Sequence, residues 1–428
     1  MIILVEVWLP YGMTEVAVKV PNENLLGVID VNERVGVINP FKEVDDALED
    51  PLGTPKLDAV VKSGETVAIV VDNKTRSTST RLIISSLLKK LNQISVQDED
   101  ITIIFGYGIH TITEAEGLKI LGETLGNRIN IQIHDCFAED LEYVGKTSFG
   151  TKVSVNKTFL DADLKILTGD IALHDYAGYS GGRKSILPAI TGIETIQHNH
   201  ALLLDSKATT GNLDGNPVHL DMEEALHLVD VDLALNVVQN SQREVVKAFA
   251  GDVDKVFQEG VQLLNELCMV PVETPAEIVV VSPGGSPFDI DLYQAYMGID
   301  SALKVVKNKG VVVLVAECLE GYSNKTFHDW MVRFNSLSRI RREIRRNFLF
   351  GGHKAYYLLK ALGKVKIILV SVMPDYYAMG VFKLRTAKTV NAALKSALRM
   401  TGRLGKILVL PHGSTTLPVI KKEGRMRT

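Results

Sequence analysis

The sequence predicts an α/β fold, built as two α/β domains with largely parallel sheets. Three observations predict it. Short apolar segments such as VAIVV, ITIIF and LKIL alternate with longer amphipathic stretches, which is the pattern of βαβ units. Polar and glycine-rich clusters follow directly after those segments, and parallel sheets gather ligands at the carboxyl ends of their strands. A second strand, glycine-rich loop and helix begin after Pro271.

The elements follow in order. MIILVEVWLP and TEVAVKVP read as strands joined by a turn at Gly12. The stretch from Asn22 to Pro55 reads as loop-rich and acidic. ETVAIVVD is a buried-type strand, and a helix from Thr78 to Leu91 follows it. Leu82, Ile83, Ile84, Leu87, Leu88 and Leu91 line one face of that helix at helical spacing. ITIIFGYG, the helix TITEAEGLKIL, and the strands INIQIHD and DADLKILTGD complete the first series. In the second series, AEIVVV, KGVVVLVAE, VKIILVSVM and KILVLPHG read as strands, with helices at DLYQAYMGIDSALKVV and TAKTVNAALKSALRM. Pro271 and Pro275 mark a linker between Val270 and Glu277. The expected domains are therefore residues 1–272 and 273–428.

Composition bounds the function. At 428 residues the chain is long enough for two or three domains of roughly 150 residues each and needs no disulfide or structural metal. Hydrophobic residues make up 46% and charged residues 23%, which excludes collagen, coiled coil and disorder. A net charge of −4 gives no global field for nucleic acid. The three cysteines are widely spaced and form no CxxC pair, so they read as buried thiols in a reducing cytoplasm. The apolar N-terminus carries Glu6 and no basic n-region, so it reads as a strand and not a signal peptide. No apolar run approaches the roughly 18 residues of a membrane span. A cytoplasmic protein without membrane or nucleic-acid partners is expected. Six arginines between Arg333 and Arg346 read as a solvated helix face pairing with acidic neighbours.

Chemistry concentrates in HDYAGYSGGRKSILPAITGIETIQHNH, residues 174–200. His174 lies at a strand end. AGYSGG then offers amides, Gly181 and Gly182 among them, that can approach a phosphate. Arg183, Lys184, His198 and His200 follow. The run is not a Walker loop, because Arg183 and not glycine precedes Lys184. His198 and His200 are too close for the i, i+4 pair of a zinc hydrolase helix. A Schiff-base lysine at Lys184 with pyridoxal phosphate fits loosely. So does a non-catalytic nucleotide- or cofactor-binding protein. His134, His219, His227, His353 and His412 read as structural, whereas His110, His174 and His200 stand beside glycine-rich or turn sequence at element ends.

Taken together, DNKTRST (72–78), GYGIH (106–110), the 174–200 block, GNLDGNPV (211–218) and SPGGSPFDIDLYQ (282–294) resemble the nickel-dependent lactate racemases and their homologues. The resemblance covers most of the chain. It implies an isomerase that racemises or epimerises a 2-hydroxy acid by reversible hydride transfer. It also implies a nickel-pincer nucleotide, a nickel pyridinium-3,5-bisthiocarboxylate mononucleotide, attached to Lys184, with His200 as the protein ligand to nickel. Protein made without the cofactor-synthesis machinery would lack that group. His110 and His174 become the acid/base pair. Asp72, Asn73, Thr75 and Arg76 become cofactor or substrate contacts, and Tyr293 and Gln294 substrate contacts. An active-site cleft between the two domains is implied, with Trp330 equally a cleft residue or plain core.

Direct proton abstraction from such a carbon is difficult, and hydride transfer to an electron-poor cofactor is the easier route. Histidines near neutral pKa suit a reaction that runs both ways, a guanidinium grips a carboxylate bidentately, and sulfur with imidazole suits nickel. Three departures stand out. Met297 replaces the lysine that the resemblance places after the YQ motif, Thr111 replaces the arginine after the first histidine, and the DxTR loop reads DNKTR. The loss of a cation at 297 argues for a substrate other than lactate, such as a larger aldonic acid. The oligomeric state is left open.

Overall fold

The computed structural model describes residues 3–62, 64–71, 77–110, 112–122 and 126–421. The chain divides into two compact units. One is Glu33–Asn265 and the other combines Met1–Asn32 with Glu266–Thr428. The N-terminal strands, read from sequence as the start of the first domain, thus belong with the C-terminal half.

The chain opens with the antiparallel hairpin β1 (Leu4–Tyr11) and β2 (Thr14–Pro21), followed by β3 (Leu25–Val28). The next stretch is less irregular than its acidic sequence indicated. It forms helix α1 (Pro40–Glu49), because the Asn39 side chain caps the Lys42 amide, Pro40 suits the first turn, and Val44 and Leu48 bury one face four residues apart. In the Glu33–Asn265 unit β4 (Val67–Val71), α2 (Ser77–Gln93), β5 (Ile101–Phe105), α3 (Glu114–Leu121) and β6 (Asn130–Ile133) follow. A capping box between Thr113 and Glu116 starts α3. Next come β7 (Leu164–Ile171), the short pair β8 (Leu173–His174) and β9 (Gly178–Tyr179), α4 (Ile193–Ala201), α5 (Pro217–Leu226), β10 (Leu233–Gln239) and β11 (Val245–Gly251). Helix α6 (Val253–Cys268) crosses the boundary in sequence.

The sheet of this unit has six strands in the order β11-β10-β7-β4-β5-β6. Only the β10–β11 pair is antiparallel. All five residues of β4 are buried, as expected of a parallel sheet covered on both faces. The register sets Val71 against both Phe105 and Thr168. The carboxyl ends of β4 and β5 are therefore level, and β7 runs on past them to Ile171 at the same edge of the sheet.

The other unit continues with β12 (Ala276–Val281), α7 (Leu292–Val305), β13 (Val306–Val315), α8 (Lys325–Arg333), α9 (Leu337–Arg346), α10 (Gly352–Lys364), β14 (Lys366–Val370), β15 (Arg385–Thr386), α11 (Val390–Thr401) and β16 (Ile407–Leu410). Its six-stranded sheet runs β15-β14-β13-β12-β16-β3 and is parallel throughout. Pro271, expected in a linker, lies in a short strand that pairs Met269–Val272 with Leu417–Ile420. Trp330 is buried and packs edge-on against Phe334, so its role here is core packing. Arginines project from α9 while Ile340 and Ile344 are buried. Among the described residues they form no ion pair with a carboxylate, contrary to the expected acidic pairing. Among the described residues no helix is long and apolar enough to cross a membrane.

Candidate active site

The site is built on the segment that leaves β7. After β7 the chain folds back through β8 and β9, which pair Leu173 with Tyr179 and His174 with Gly178. Gly178, Gly181 and Gly182 all have positive φ, at 79°, 89° and 55°. A Cβ at Gly178 would stand 2.4 Å from the Asn212 carbonyl oxygen, and one at Gly181 2.7 Å from Ile171 Cγ1. Side chains are excluded here both by backbone conformation and by space. Two amides of this run are engaged within the protein: Gly182 N–H donates to Asn236 Oδ1 at 3.0 Å and Ser180 N–H to the Ala172 carbonyl at 2.8 Å. The loop is thus a packed platform.

Arg183 holds that platform from inside. It is 1% exposed and its guanidinium donates to the carbonyls of Ala177 (3.0 Å), Tyr179 (3.2 Å) and Gly181 (3.4 Å). Its charge lies 4.0 Å from the centre of the Phe257 ring on α6, a cation–π contact. Burial pushes this guanidinium down to about 9. Sequence reading noticed Arg183 only as the residue that spoils a Walker motif.

Lys184 follows and turns the other way, half-buried, with Nζ 3.3 Å from His174 Nε2. On the far side of that imidazole, Nδ1 lies 3.2 Å from Asp175 Oδ1. An ammonium can only donate, so it meets the lone pair of Nε2 and leaves the ring proton on Nδ1 facing the carboxylate. The Ala177 N–H also approaches Nδ1, at 3.4 Å. We assign the charge-assisted contact with Asp175 as the dominant one. The arrangement makes Nε2 the basic atom of His174.

Tyr176 sits between His174 and His200. Its ring meets both edge-on, with centroids 4.6 and 5.2 Å away. Burial, and secondly Asp175, raise its phenol well above the ordinary value, so it stays neutral. His200, at the end of α4, is buried. Its Nδ1 lies 3.1 Å from Asn199 Oδ1. The Asn199 amide nitrogen donates to Asp221 Oδ2 at 2.8 Å and to the Val218 carbonyl at 3.1 Å. Both of its hydrogens are used, so the oxygen must accept from His200 Nδ1–H and the imidazole lone pair is on Nε2. Asp221 is fully buried and also accepts from Thr147 Oγ1 (2.5 Å) and Thr151 Oγ1 (2.8 Å). Sequence reading missed Asn199, Asp221 and Tyr176. The signal for the first two was a polar residue beside a candidate ligand and an acid one turn into an apolar-faced helix.

His110 ends the turn after β5, exposed, with its N–H donating to the Tyr107 carbonyl at 3.1 Å. Its loop is tied to the segment after Lys184, because Gly108 N–H donates to the Ala189 carbonyl at 3.2 Å. A Cβ at Gly106 would stand 2.7 Å from that same oxygen. Asp72, Asn73, Thr75 and Arg76, and also Thr111, lie outside the described residues. In the other unit Tyr293 and Gln294 open α7 behind the N-cap Asp291. Tyr293 OH is 3.2 Å from His353 Nε2, and Gln294 is exposed. Three of the other histidines have polar partners away from this segment's reactive groups, His134 with the Thr191 carbonyl (3.1 Å), His227 with Asp254 (2.9 Å) and His412 with Asp30 (2.8 Å).

Two largely parallel sheets within an α/β architecture, with a lysine and histidines gathered beyond the carboxyl edge of the first, define the class as an α/β enzyme. The chain matches the lactate racemase N-terminal domain over residues 11–211 and the lactate racemase C-terminal domain over residues 272–418. It is 30% identical over 419 residues to a lactate racemase of Thermoanaerobacterium thermosaccharolyticum, covering 96% of this chain and 98% of that one. It is 28% identical over 421 residues to a lactate racemase of Lactiplantibacillus plantarum, covering 96% and 99%. The structure of the lactate racemase apoprotein from T. thermosaccharolyticum superposes with a TM-score of 0.90 at 29% identity, covering 98% of this chain and 100% of that chain. A Thermotoga maritima protein shares the fold at TM-score 0.65 and 18% identity, covering 89% and 97%. The chain belongs to the lactate racemase family, a nickel-dependent family of racemases, and is an isomerase of the racemase and epimerase class.

Proposed function

We propose that this isomerase inverts C2 of a 2-hydroxy acid, with His110 and His174 as the acid/base pair. The observation that carries the reading is the set Lys184–His174–Tyr176–His200: an amine against one imidazole, and a second imidazole whose lone pair is assigned to Nε2 by its neighbours. The residues fit the family's nickel-pincer nucleotide. Lys184 is the amine to which it would be attached, and His200 Nε2 is the imidazole donor to nickel, with Asn199 as the orienting partner such ligands use. Among the described residues no cluster of three or more His, Cys, Asp or Glu stands ready to hold a metal; His200 serves as a single protein donor. When bound, the group supplies an electron-poor carbon able to accept hydride.

The chain's own work is proton handling and orientation. His174 Nε2 takes the hydroxyl proton as hydrogen leaves C2, while Asp175 steadies the imidazolium through Nδ1. A planar 2-keto acid then presents either face. His110 returns the proton when the opposite configuration forms. Arg76, with Asp72, Asn73 and Thr75, serves substrate and cofactor, and Tyr293 and Gln294 serve the carboxylate. With Met297 in place of lysine, the substrate is a 2-hydroxy acid larger than lactate, an aldonic acid being the leading candidate.

The test is the intact mass and nickel content of protein made together with the cofactor-synthesis enzymes. A mass increase mapping to Lys184, with stoichiometric nickel lost on substituting His200, supports the reading. An unmodified Lys184 without nickel overturns it.

A further inference from the structure

His198 has no part in the acid/base scheme, yet it is joined to His200 by more than sequence. It stands on α4 two residues before His200. His198 is exposed, whereas Asn199 and His200 are buried. Its ring nevertheless turns one nitrogen inward. Nδ1 lies 2.7 Å from the hydroxyl of Thr151, a fully buried residue. Thr151 in turn reaches Asp221, the same carboxylate that holds Asn199.

Counting donors fixes the direction of each bond. Carboxylate oxygens only accept. Thr151 Oγ1 lies 2.8 Å from Asp221 Oδ2, so the one hydroxyl hydrogen goes there. The hydroxyl oxygen therefore accepts from His198 Nδ1–H. Asp221 Oδ2 also accepts from Asn199 Nδ2 at 2.8 Å, and Asn199 Oδ1 accepts from His200 Nδ1–H at 3.1 Å. The bonds run His198, Thr151, Asp221, Asn199, His200, and the chain closes on α4 where it began. Each bond confines the group after it. Without the His198 N–H, the Thr151 hydrogen is no longer confined to the Asp221 side. A buried carboxylate that loses a donor shifts to recover one, and the Asn199 amide rests on that carboxylate.

Resting on the reading that His200 is the nickel donor, we propose that His198 is a positioning residue for His200. It acts through Thr151 and Asp221 and keeps Asn199 Oδ1 on His200 Nδ1–H, so that Nε2 is the atom presented to the metal. The two histidines of the HNH run thus have different tasks, one binding and one orienting.

Two measurements on the full chain test this. Imidazole nitrogen NMR of the cofactor-free protein reads the His200 tautomer, and metal analysis over time reads nickel release from the loaded protein. The unaltered protein should show His200 with its hydrogen on Nδ1. His198→Leu and Thr151→Val should each shift His200 toward the other tautomer. Each should speed nickel release about 3-fold, less than the roughly 10-fold lower bound for losing a ligand's direct partner. His198→Asn, whose amide can still donate to Thr151, should restore both readouts. Adding His198→Leu to Thr151→Val should change neither readout further, because the two act in series. Melting temperatures of the His198 variants should stay close to that of the unaltered protein. An unchanged His200 tautomer in His198→Leu overturns the proposal, as do additive effects in the double variant. A lowered melting temperature that His198→Asn does not relieve also overturns it, by making His198 structural. A His198-dependent tautomer in a protein that takes up no nickel would support this link while removing the nickel reading, so the two failures are distinct.

Discussion

Asn199 Oδ1 lies 3.1 Å from His200 Nδ1, and the same amide is held from its other end by the buried carboxylate of Asp221 at 2.8 Å. The tautomer of His200 is therefore set by a carboxylate that acts on the ring through one intervening amide. Asp221→Asn introduces a second amide with its own donors at that point and removes the charge that fixes Asn199. Nickel retention by the loaded protein should fall about 10- to 100-fold, the usual effect of losing such an outer partner. The fold should lose roughly 1–3 kcal/mol, because Thr147 and Thr151 lose a charged acceptor. Metal analysis after gel filtration measures the first effect and thermal unfolding the second. Full nickel retention would contradict the assignment.

His174 and Lys184 are 3.3 Å apart yet have separate tasks, so their variants should separate. His174→Gln should retain the mass increase at Lys184 and lose at least about 100-fold in turnover, the lower range of general acid–base catalysis. Lys184→Ala should lose the mass increase itself. Loss of attachment in both variants would show that His174 serves loading and not turnover.

Gly181 has φ +89°, and a Cβ there would stand 2.7 Å from Ile171 Cγ1. Gly181→Ala should cost at least ~1 kcal/mol from the conformation alone, and more from the close contact. Because Lys184 N–H donates to the Gly181 carbonyl at 3.3 Å, cofactor attachment should fall with stability. Gly363, which has open space around it, is the control. Gly363→Ala should leave both properties intact, and equal behaviour of the two variants would contradict the packing argument.

Much of this was legible in the sequence. VAIVV and ITIIF announced parallel buried strands because both faces must be apolar, and the residues after them had to leave from one edge. His110, His174, Lys184 and His200 stood out because reactive residue types beside glycine-rich turns have few structural uses. What escaped was set by tertiary contact. Neither Arg183 as an internal clamp nor Asp221 as the support of Asn199 has a local pattern, since Arg183 is turned inward onto the Phe257 ring of α6 and Asp221 holds Asn199 from 22 residues away. The N-terminal hairpin's place with the C-terminal half depends on β3 pairing with β16, a contact that alternation of apolar residues does not encode. Helix α1 was hidden by its acids, although Asn39 and Pro40 were a usable start signal.

A pH dependence follows from His219. Burial, and next the charge of Arg183, push its imidazole down to about 3. Glu223, 3.3 Å away, is a weak counter-charge because burial pushes its own carboxyl up. The unfolded chain takes up this proton near the ordinary 6.5, while the folded chain does not until about 3. Stability is therefore fully present above about pH 6.5 and is lost as pH falls towards 3, at up to ~1.4 kcal/mol per pH unit. Glu223, raised, acts in the opposite direction only near the carboxylate range. Between pH 6.5 and 5, His219→Phe should flatten the decline in melting temperature relative to the unaltered protein. Parallel declines would contradict the assignment.

Inversion at C2 by hydride transfer, with protons handled by His110 and His174, leaves an isotopic signature. The most direct measurement incubates the cofactor-loaded enzyme in D2O with single enantiomers or epimers of a panel of 2-hydroxy acids, from lactate to gluconate. The products are then separated and hydrogen at C2 is assigned by NMR. The account predicts inversion of an acid larger than lactate, with protium retained at C2, because the hydrogen leaves and returns as hydride and never mixes with solvent. Deuterium at C2 of the inverted product, or inversion of none of the acids, would contradict it.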